Sequence, residues 1–393
     1  MTNAIRAIYF FFHVGLGCVF AFLVPYLGAE GFSDAEISSI FFLGSLCGAI
    51  GVPLFWGYLS DRVGKPQLVV KILTLGTLIG SIPLLFLKDY WPFLISYFVY
   101  SFFSIGIMGI LDAMASTLAK EKGIDFGRLR LFVPAGWFLG SILMGAYLEY
   151  FEKAWNDVAV IAGMVISFSL MFLASLFLKK STIENQERPK TKDMLALFKD
   201  KGLMVFFLMA FLNFIALAAY MGNYSQLIKA AGHGAFVVSM AFAVATLSEV
   251  IFMLLFERLK NWIGIYWVII SSVLISIIRW LIVANTTDAN VLVGIQVLHS
   301  EIGLFTLACV SLITDSVPKK IVTTAQTLFY TLTYGLGLFL GGILMGAIGD
   351  TTYNGYRNMF LISALLHVIP LFLCFVVKRM ALAKNLTEPL NYD

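Results

Sequence analysis

Apolar stretches, each about 20 residues long, recur from one end of the chain to the other, separated by short polar breaks. They fall at roughly 4–28, 36–60, 66–87, 92–119, 129–149, 156–178, 202–228, 235–256, 264–284, 290–314, 320–347 and 355–377. A helix needs about 20 apolar residues to cross the ~30 Å hydrocarbon core of a bilayer. No water is available there, so each span must satisfy its own backbone N–H and C=O groups. The pattern therefore predicts an all-α membrane protein of twelve transmembrane helices, with no room for a soluble domain.

The longest polar break, "LKKSTIENQERPKTKDMLALFKDK", falls between the sixth and seventh spans and reads as a solvated linker. It divides the chain into 1–178, a linker at 179–201, and 202–393, with six helices on either side. The loop after the second span, "GYLSDRVGK", is echoed after the eighth by "FERLKNWIG", as expected of two related halves. In the first copy Gly57 and Gly64 allow a tight turn. Asp61 can accept from the N-terminal amides of a neighbouring helix, and Arg62 can pair with an acid. These four residues are candidates for a gate.

Composition agrees with the pattern. Of the 393 residues 60% are hydrophobic and 13% charged, against about 25% charged in soluble domains. With both termini cytoplasmic, the cytoplasmic segments hold 21 of the 27 Lys and Arg. Lys88, Lys153, Lys229 and Arg357 fall outside, and Arg130 and Arg279 within spans. This positive-inside bias sets the orientation. The net charge of +4 thus reports topology, and no basic-aromatic pattern points to a nucleic acid. The first span has almost no basic leader and no small-residue cleavage site, so it reads as helix 1. Cys18, Cys47, Cys309 and Cys374 all lie in spans and suggest neither a disulfide framework nor a metal site. Glycine pairs four apart, such as Gly136/Gly140 and Gly337/Gly341, read as close helix packing within the chain.

Ionisable residues inside spans are costly and usually functional. They are Asp112, Arg130, Glu249, Arg279, His299 and Glu301. His13 and His367 are lone and read as core histidines. Asp112 and Arg130 sit on consecutive helices joined by a short loop, so they can meet. Trp137 follows Arg130 by seven residues, two turns along a continuous helix and on the same face. A carboxylate and a guanidinium fork can bind hydroxyls while an indole covers the apolar face of a ring. A structural ion pair beside a packed tryptophan is the other reading of the same residues.

Gly57, Asp61, Arg62 and Gly64 in a twelve-helix chain resemble the signature loop of the major facilitator superfamily. "DFGRLRLFVPAGW" (125–137) resembles the helix 4–5 region of lactose permease and its proton-symporter relatives. The resemblance implies that Asp112 and Arg130 form the substrate-binding pair and that Trp137 stacks on the sugar ring. It also implies that Glu249 is the helix 8 carboxylate shared by sugar, nucleoside and phenylpropionate permeases, a candidate for both substrate binding and proton coupling. Arg279 and His299, 20 residues apart, resemble the family's coupling cluster, with Glu301 and Gln296 beside them. "IQVLHSE" is most similar to the phenylpropionate permease, and "ALFKDKGLMVFF" to the nucleoside symporters.

The departures are specific. The family's helix 10 carboxylate follows the histidine by three residues, where this chain has Ile302. Glu301, two residues on, would lie about 200° around a regular helix. Gln296 stands where the family has a lysine, and Phe252 where it has a polar residue. These changes argue against lactose itself.

The expected function is proton-coupled import of a small polar solute, a sugar or nucleoside, by alternating access. The proton is the coupling ion, no other cofactor is expected, and the partners are solute, protons and lipid. A monomer in a bacterial inner membrane is expected. An aromatic-acid symporter and a non-transporting solute receptor stay open as alternatives. No metal cluster, nucleophile–base set or phosphate loop suggests an enzyme.

Overall fold

The computed structural model describes residues 1–51, 55–56, 59–60, 63–123, 126–179, 200–299, 301–317, 322–348 and 352–387, with some side chains in these ranges, including Cys47 and Glu301, left undescribed. The linker core at 180–199 and the gate candidates Gly57, Asp61 and Arg62 lie outside the described residues. Eleven helices among the described residues are long and apolar enough to cross a membrane. The expected second span coincides with a further helix, Asp34–Gly51.

In the first half the helices are α1 (Thr2–Phe20), α2 (Leu23–Ala29), α3 (Asp34–Gly51), α4 (Pro66–Ser81), α5 (Tyr90–Lys122), α6 (Phe126–Arg130), α7 (Phe132–Tyr150) and α8 (Ala159–Leu176). The second half holds α9 (Lys201–Ala230), α10 (Ala235–Ile263), α11 (Ile265–Ala284), α12 (Ala289–Gly294), α13 (Thr306–Ser316), α14 (Val322–Tyr330), α15 (Leu338–Ile348), α16 (Tyr353–Leu366) and α17 (Val368–Thr387).

Local chemistry sets several of these ends. Ser33 and Glu36 form a reciprocal capping box at the start of α3, with Ser33 N–H donating to Glu36 Oε2 at 2.8 Å. Pro66 opens α4, where a missing N–H costs nothing. The Asp200 carboxylate accepts from Leu203 N–H at 3.0 Å to start α9. Gly64 adopts φ +63°, as the expected tight turn requires.

Successive spans alternate between two faces. The first carries residue 1 and the turns near 64, 123 and 264; the opposite face carries those near 31, 152, 232 and 286. Helix α1 packs along α7 and α8, and α9 along α15, α16 and α17. Pairings that join the halves include α10 against α7, α3 against α15 and α9 against α2. The glycines make these approaches close. A Cβ on Gly136 would strike the Phe10 carbonyl, and one on Gly140 the Val14 carbonyl, so α7 lies backbone to backbone on α1.

Several expected helices are not continuous, and three of the breaks bear on the candidate residues or their neighbours. The fifth span breaks at Leu131, between α6 and α7. Pro134 has no N–H to give the Arg130 carbonyl four residues back, and its ring crowds that carbonyl. The tenth passes from α12 through a 3₁₀ turn at Ile295–Leu298 and a π-helical stretch at Glu301–Phe305 into α13. The eleventh has a second π-helical stretch at Thr331–Gly337 between α14 and α15.

Candidate functional site

Asp112 and Arg130 meet as the sequence predicts. Arg130 Nη2 lies 3.4 Å from Asp112 Oδ2. The Asp112 side chain is 27% exposed and that of Arg130 52%. Lipid would penalise charged groups this open within apolar spans, so water or a polar solute is the environment that suits them. The other carboxylate oxygen, Oδ1, accepts a 2.5 Å hydrogen bond from the Tyr9 hydroxyl on α1. Tyr9 itself is fully buried. The Arg130 charge also acts on Glu249, Tyr330 and Tyr334, all from the second half, so the pair borders the space between the halves.

Trp137 is half-buried, but its relation to Arg130 differs from the expected one. A one-residue break at Leu131, itself in helical conformation, separates the two residues. The indole instead meets Phe20 edge-on, with ring centroids 5.1 Å apart, and lies 6.3 Å from the His13 ring. Phe20 in turn meets Phe41 of α3 and Phe242 of α10. Trp137 thus belongs to an aromatic cluster that reaches across both halves.

Arg279, His299 and Gln296 also come together, but in a sealed interior. Arg279 is fully buried. Its Nη1 donates to His299 Nδ1 at 2.8 Å, and its Nη2 donates to Gln296 Oε1. Because His299 Nδ1 accepts, the imidazole is neutral and carries its proton on Nε2. The guanidinium lies over the rings of Tyr220 and Trp280, 4.5 Å and 4.3 Å from their centroids. Gln296 Nε2 donates to the Tyr224 hydroxyl at 2.5 Å, and that hydroxyl donates to the Leu292 carbonyl at 2.6 Å. The position where the family has a lysine is therefore used here to hold the arginine.

Glu249 stands apart from this cluster. It is partly buried on α10, packs against Gly303 in the first π-helical stretch, and has no ion pair among the described residues. The backbone of Glu301 lies in that stretch, while its side chain is outside the description. The 200° separation from His299 presumed a regular helix. His299 has φ −73° and ψ 71°, which is not helical. His13 and His367 are core histidines, as read: each ring Nδ1 bonds the carbonyl four residues back, at 2.7 Å.

The halves touch at the face opposite residue 1. Glu149 Oε2, at the end of α7, accepts from Phe236 N–H in the first turn of α10 at 3.3 Å. Gln226 Nε2 donates to the Val24 carbonyl at 3.4 Å, and Lys229 sits 5.3 Å from the Trp155 ring centroid. No charge pattern in the sequence singles out Glu149. Tyr9, Tyr220 and Trp280 were also missed, since nothing distinguishes them in a chain with 16 Tyr and 7 Trp.

An exposed carboxylate–guanidinium pair and an aromatic cluster that reaches both halves, in a bundle of membrane-spanning helices, suit a solute carrier. The family model described as "MFS_1 like family" matches residues 3–362, and the chain belongs to that family. It is an integral membrane transporter of the major facilitator type, with the two-bundle fold of that class. The "Probable 3-phenylpropionic acid transporter" of Escherichia coli (strain K12) is 25% identical over 318 residues, covering 76% of this chain and 78% of the relative. The "Maltose permease" of Geobacillus stearothermophilus is 25% identical over 349 residues, 86% of each chain. Two crystal structures of the nucleoside transporter NupG match 96% of this chain with TM-scores of 0.85 and 0.82, at 18% identity, and are themselves covered to 99% and 98%.

Proposed function

We propose that this transporter imports a small polar organic solute together with a proton, and that the solute is a sugar or a nucleoside. The observation that carries this reading is the Asp112–Arg130 pair, set inside the spans yet open to solvent. A carboxylate accepts from hydroxyls and a guanidinium donates to them, and charged hydrogen bonds are about twice as strong as neutral ones. The Trp137 cluster supplies apolar cover for a ring. Residues 1–178 and 202–393 act as the two moving bodies and 179–201 as their link. The protein works as a monomer in a bacterial inner membrane, with both termini cytoplasmic. The contacts at the opposite face then close the outer side and leave the site open inward. Gly57, Asp61, Arg62 and Gly64 form the cytoplasmic gate.

Glu249 is our candidate for the proton carrier. It has no ion pair among the described residues and sits within reach of the Arg130 charge. Protonation there removes a buried charge and so changes which face is favoured. Arg279, His299 and Gln296 support coupling by holding the broken tenth span, and Glu301 remains the further acid proposed for coupling. A second reading, import of an aromatic acid, is favoured by the free part of the guanidinium. Arg130 reaches Asp112 through Nη2 and its side chain is half exposed, so its planar fork can also take a substrate carboxylate.

Purified protein in proteoliposomes tests both readings, with maltose, uridine and 3-phenylpropionate as labelled probes under an imposed pH gradient. Accumulation that collapses with the gradient supports the symporter. Glu249→Gln is expected to abolish accumulation and to leave counterflow measurable. If counterflow disappears as well, Glu249 is a solute ligand and the proton rides elsewhere.

A further inference from the structure

The Asp112–Arg130 site has a third member that neither the sequence motifs nor the family resemblance supplies. We propose that Tyr9 is the positioning residue of this site: its hydroxyl occupies Asp112 Oδ1 and leaves Oδ2 as the one carboxylate oxygen shared by Arg130 and the solute. The proposal rests on the reading of Asp112 and Arg130 as the solute-binding pair.

A carboxylate has two equivalent oxygens and a freely turning terminal torsion, so alone it presents either oxygen in many directions. The 2.5 Å bond from Tyr9 removes that freedom. Tyr9 has no exposure to water, so its hydroxyl has no competing solvent partner. Arg130 approaches from the other side at 3.4 Å. The carboxylate is thus held between a buried fixed donor and an exposed movable one. A fixed acceptor loses less freedom when a solute hydroxyl arrives, which strengthens binding without any new contact.

Tyr9 is itself held by its helix. The Ser167 hydroxyl of α8 donates to the Phe11 carbonyl at 2.6 Å, and Gly136 and Gly140 let α7 press directly onto α1. The same helix carries Phe20, the ring on which Trp137 rests. One helix therefore sets both the hydroxyl-reading end of the site and its ring-covering end. A shift of α1 would act on the contacts of Asp112 and Trp137 at once.

The test is Tyr9→Phe, which removes one oxygen atom and keeps the ring. Uptake of whichever of maltose, uridine or 3-phenylpropionate the wild type accumulates is measured in proteoliposomes, beside Phe12→Leu as a buried control on the same helix. Tyr9→Phe is expected to raise KM about ten-fold, equivalent to about 1.4 kcal/mol, with kcat within about two-fold and the melting temperature unchanged. Phe12→Leu is expected to lower the melting temperature and leave KM alone. An unchanged KM in Tyr9→Phe, or a loss confined to kcat or stability, overturns the proposal. Asp112→Asn and Arg130→Gln separate the two levels. If both raise KM and Tyr9→Phe does not, the positioning role alone fails. If neither does, the solute binds elsewhere and the underlying reading fails with it.

Discussion

Arg130 and Arg279 are both guanidinium groups in apolar helices, and the protein houses them in opposite ways. Arg130 has a carboxylate partner at 3.4 Å and keeps half its surface open. Arg279 has no exposed surface; it is held by an imidazole, a side-chain amide and two aromatic faces. An open charge with a strong acceptor beside it can exchange partners, because water and solute compete on nearly equal terms. A sealed charge cannot, since each bond it loses stays unmade at a cost of about 1–3 kcal/mol. On the proposed reading the two sites divide the work: one meets the solute, and the other holds the seventh, ninth and tenth spans in register.

The largest effect should come from breaking the sealed site. Arg279→Ala leaves His299 and Gln296 without their donor and opens a cavity between Tyr220 and Trp280. A loss of about 3 kcal/mol or more in stability is expected from the unmade bonds and the lost packing. Thermal unfolding in detergent reads it, with a large drop in melting temperature as the outcome. A stable, well-folded Arg279→Ala protein that merely fails to transport would erase the contrast drawn here.

At the open site the order of effects reverses. Arg130→Lys keeps the charge but not the planar fork. Stability should change by about 1 kcal/mol or less, as at partly exposed ion pairs. Uptake efficiency should fall about ten-fold to a hundred-fold through KM. Measuring melting temperature and uptake in the same preparation places both arginines on one pair of axes.

The smallest effect concerns the contact between halves. Glu149 lies at the N-terminal end of α10, where the helix dipole favours an anion by about 0.3–1 kcal/mol. Its carboxylate also crowds Gly234, where a Cβ would collide with it. Glu149→Gln should increase, by about two-fold to five-fold, the labelling of a cysteine placed at Phe20 by an impermeant thiol reagent added on that side. No change would mean that helix packing between α7 and α10 closes this face unaided.

The sequence made parts of the molecule readable for definite reasons. Hydrophobic length reports span number because a bilayer has one thickness. Spacing placed Asp112 near Arg130 because a short connection leaves consecutive helices few ways to diverge. Relations that depended on a continuous helix were not legible. Arg130 and Trp137 were assigned one face by counting turns along an unbroken helix, and the span is interrupted at Leu131, three residues before Pro134. That signal was present in the sequence and was outweighed by the expectation of an unbroken span. Arg279 and His299 were grouped by the family resemblance and do meet, but their sealed environment depends on Tyr220 and Trp280, which no spacing rule brings to the same point. Tyr9 was invisible for the same reason: contact between the first and fourth spans is a property of the assembled bundle.

The interrupted tenth span has a consequence for how this chain is compared with its kin. A 3₁₀ turn takes about 3 residues and an α turn 3.6, while a π turn takes more. Where all three follow one another between Ala289 and Ser316, the number of residues between two positions no longer fixes the angle between them. A residue gained or lost there can be absorbed by retyping one turn, leaving the flanking helices where they were. An alignment column at 299–302 thus pairs letters and not directions, and the displacement of an acid from 302 to 301 is a difference in bookkeeping before it is a difference in chemistry.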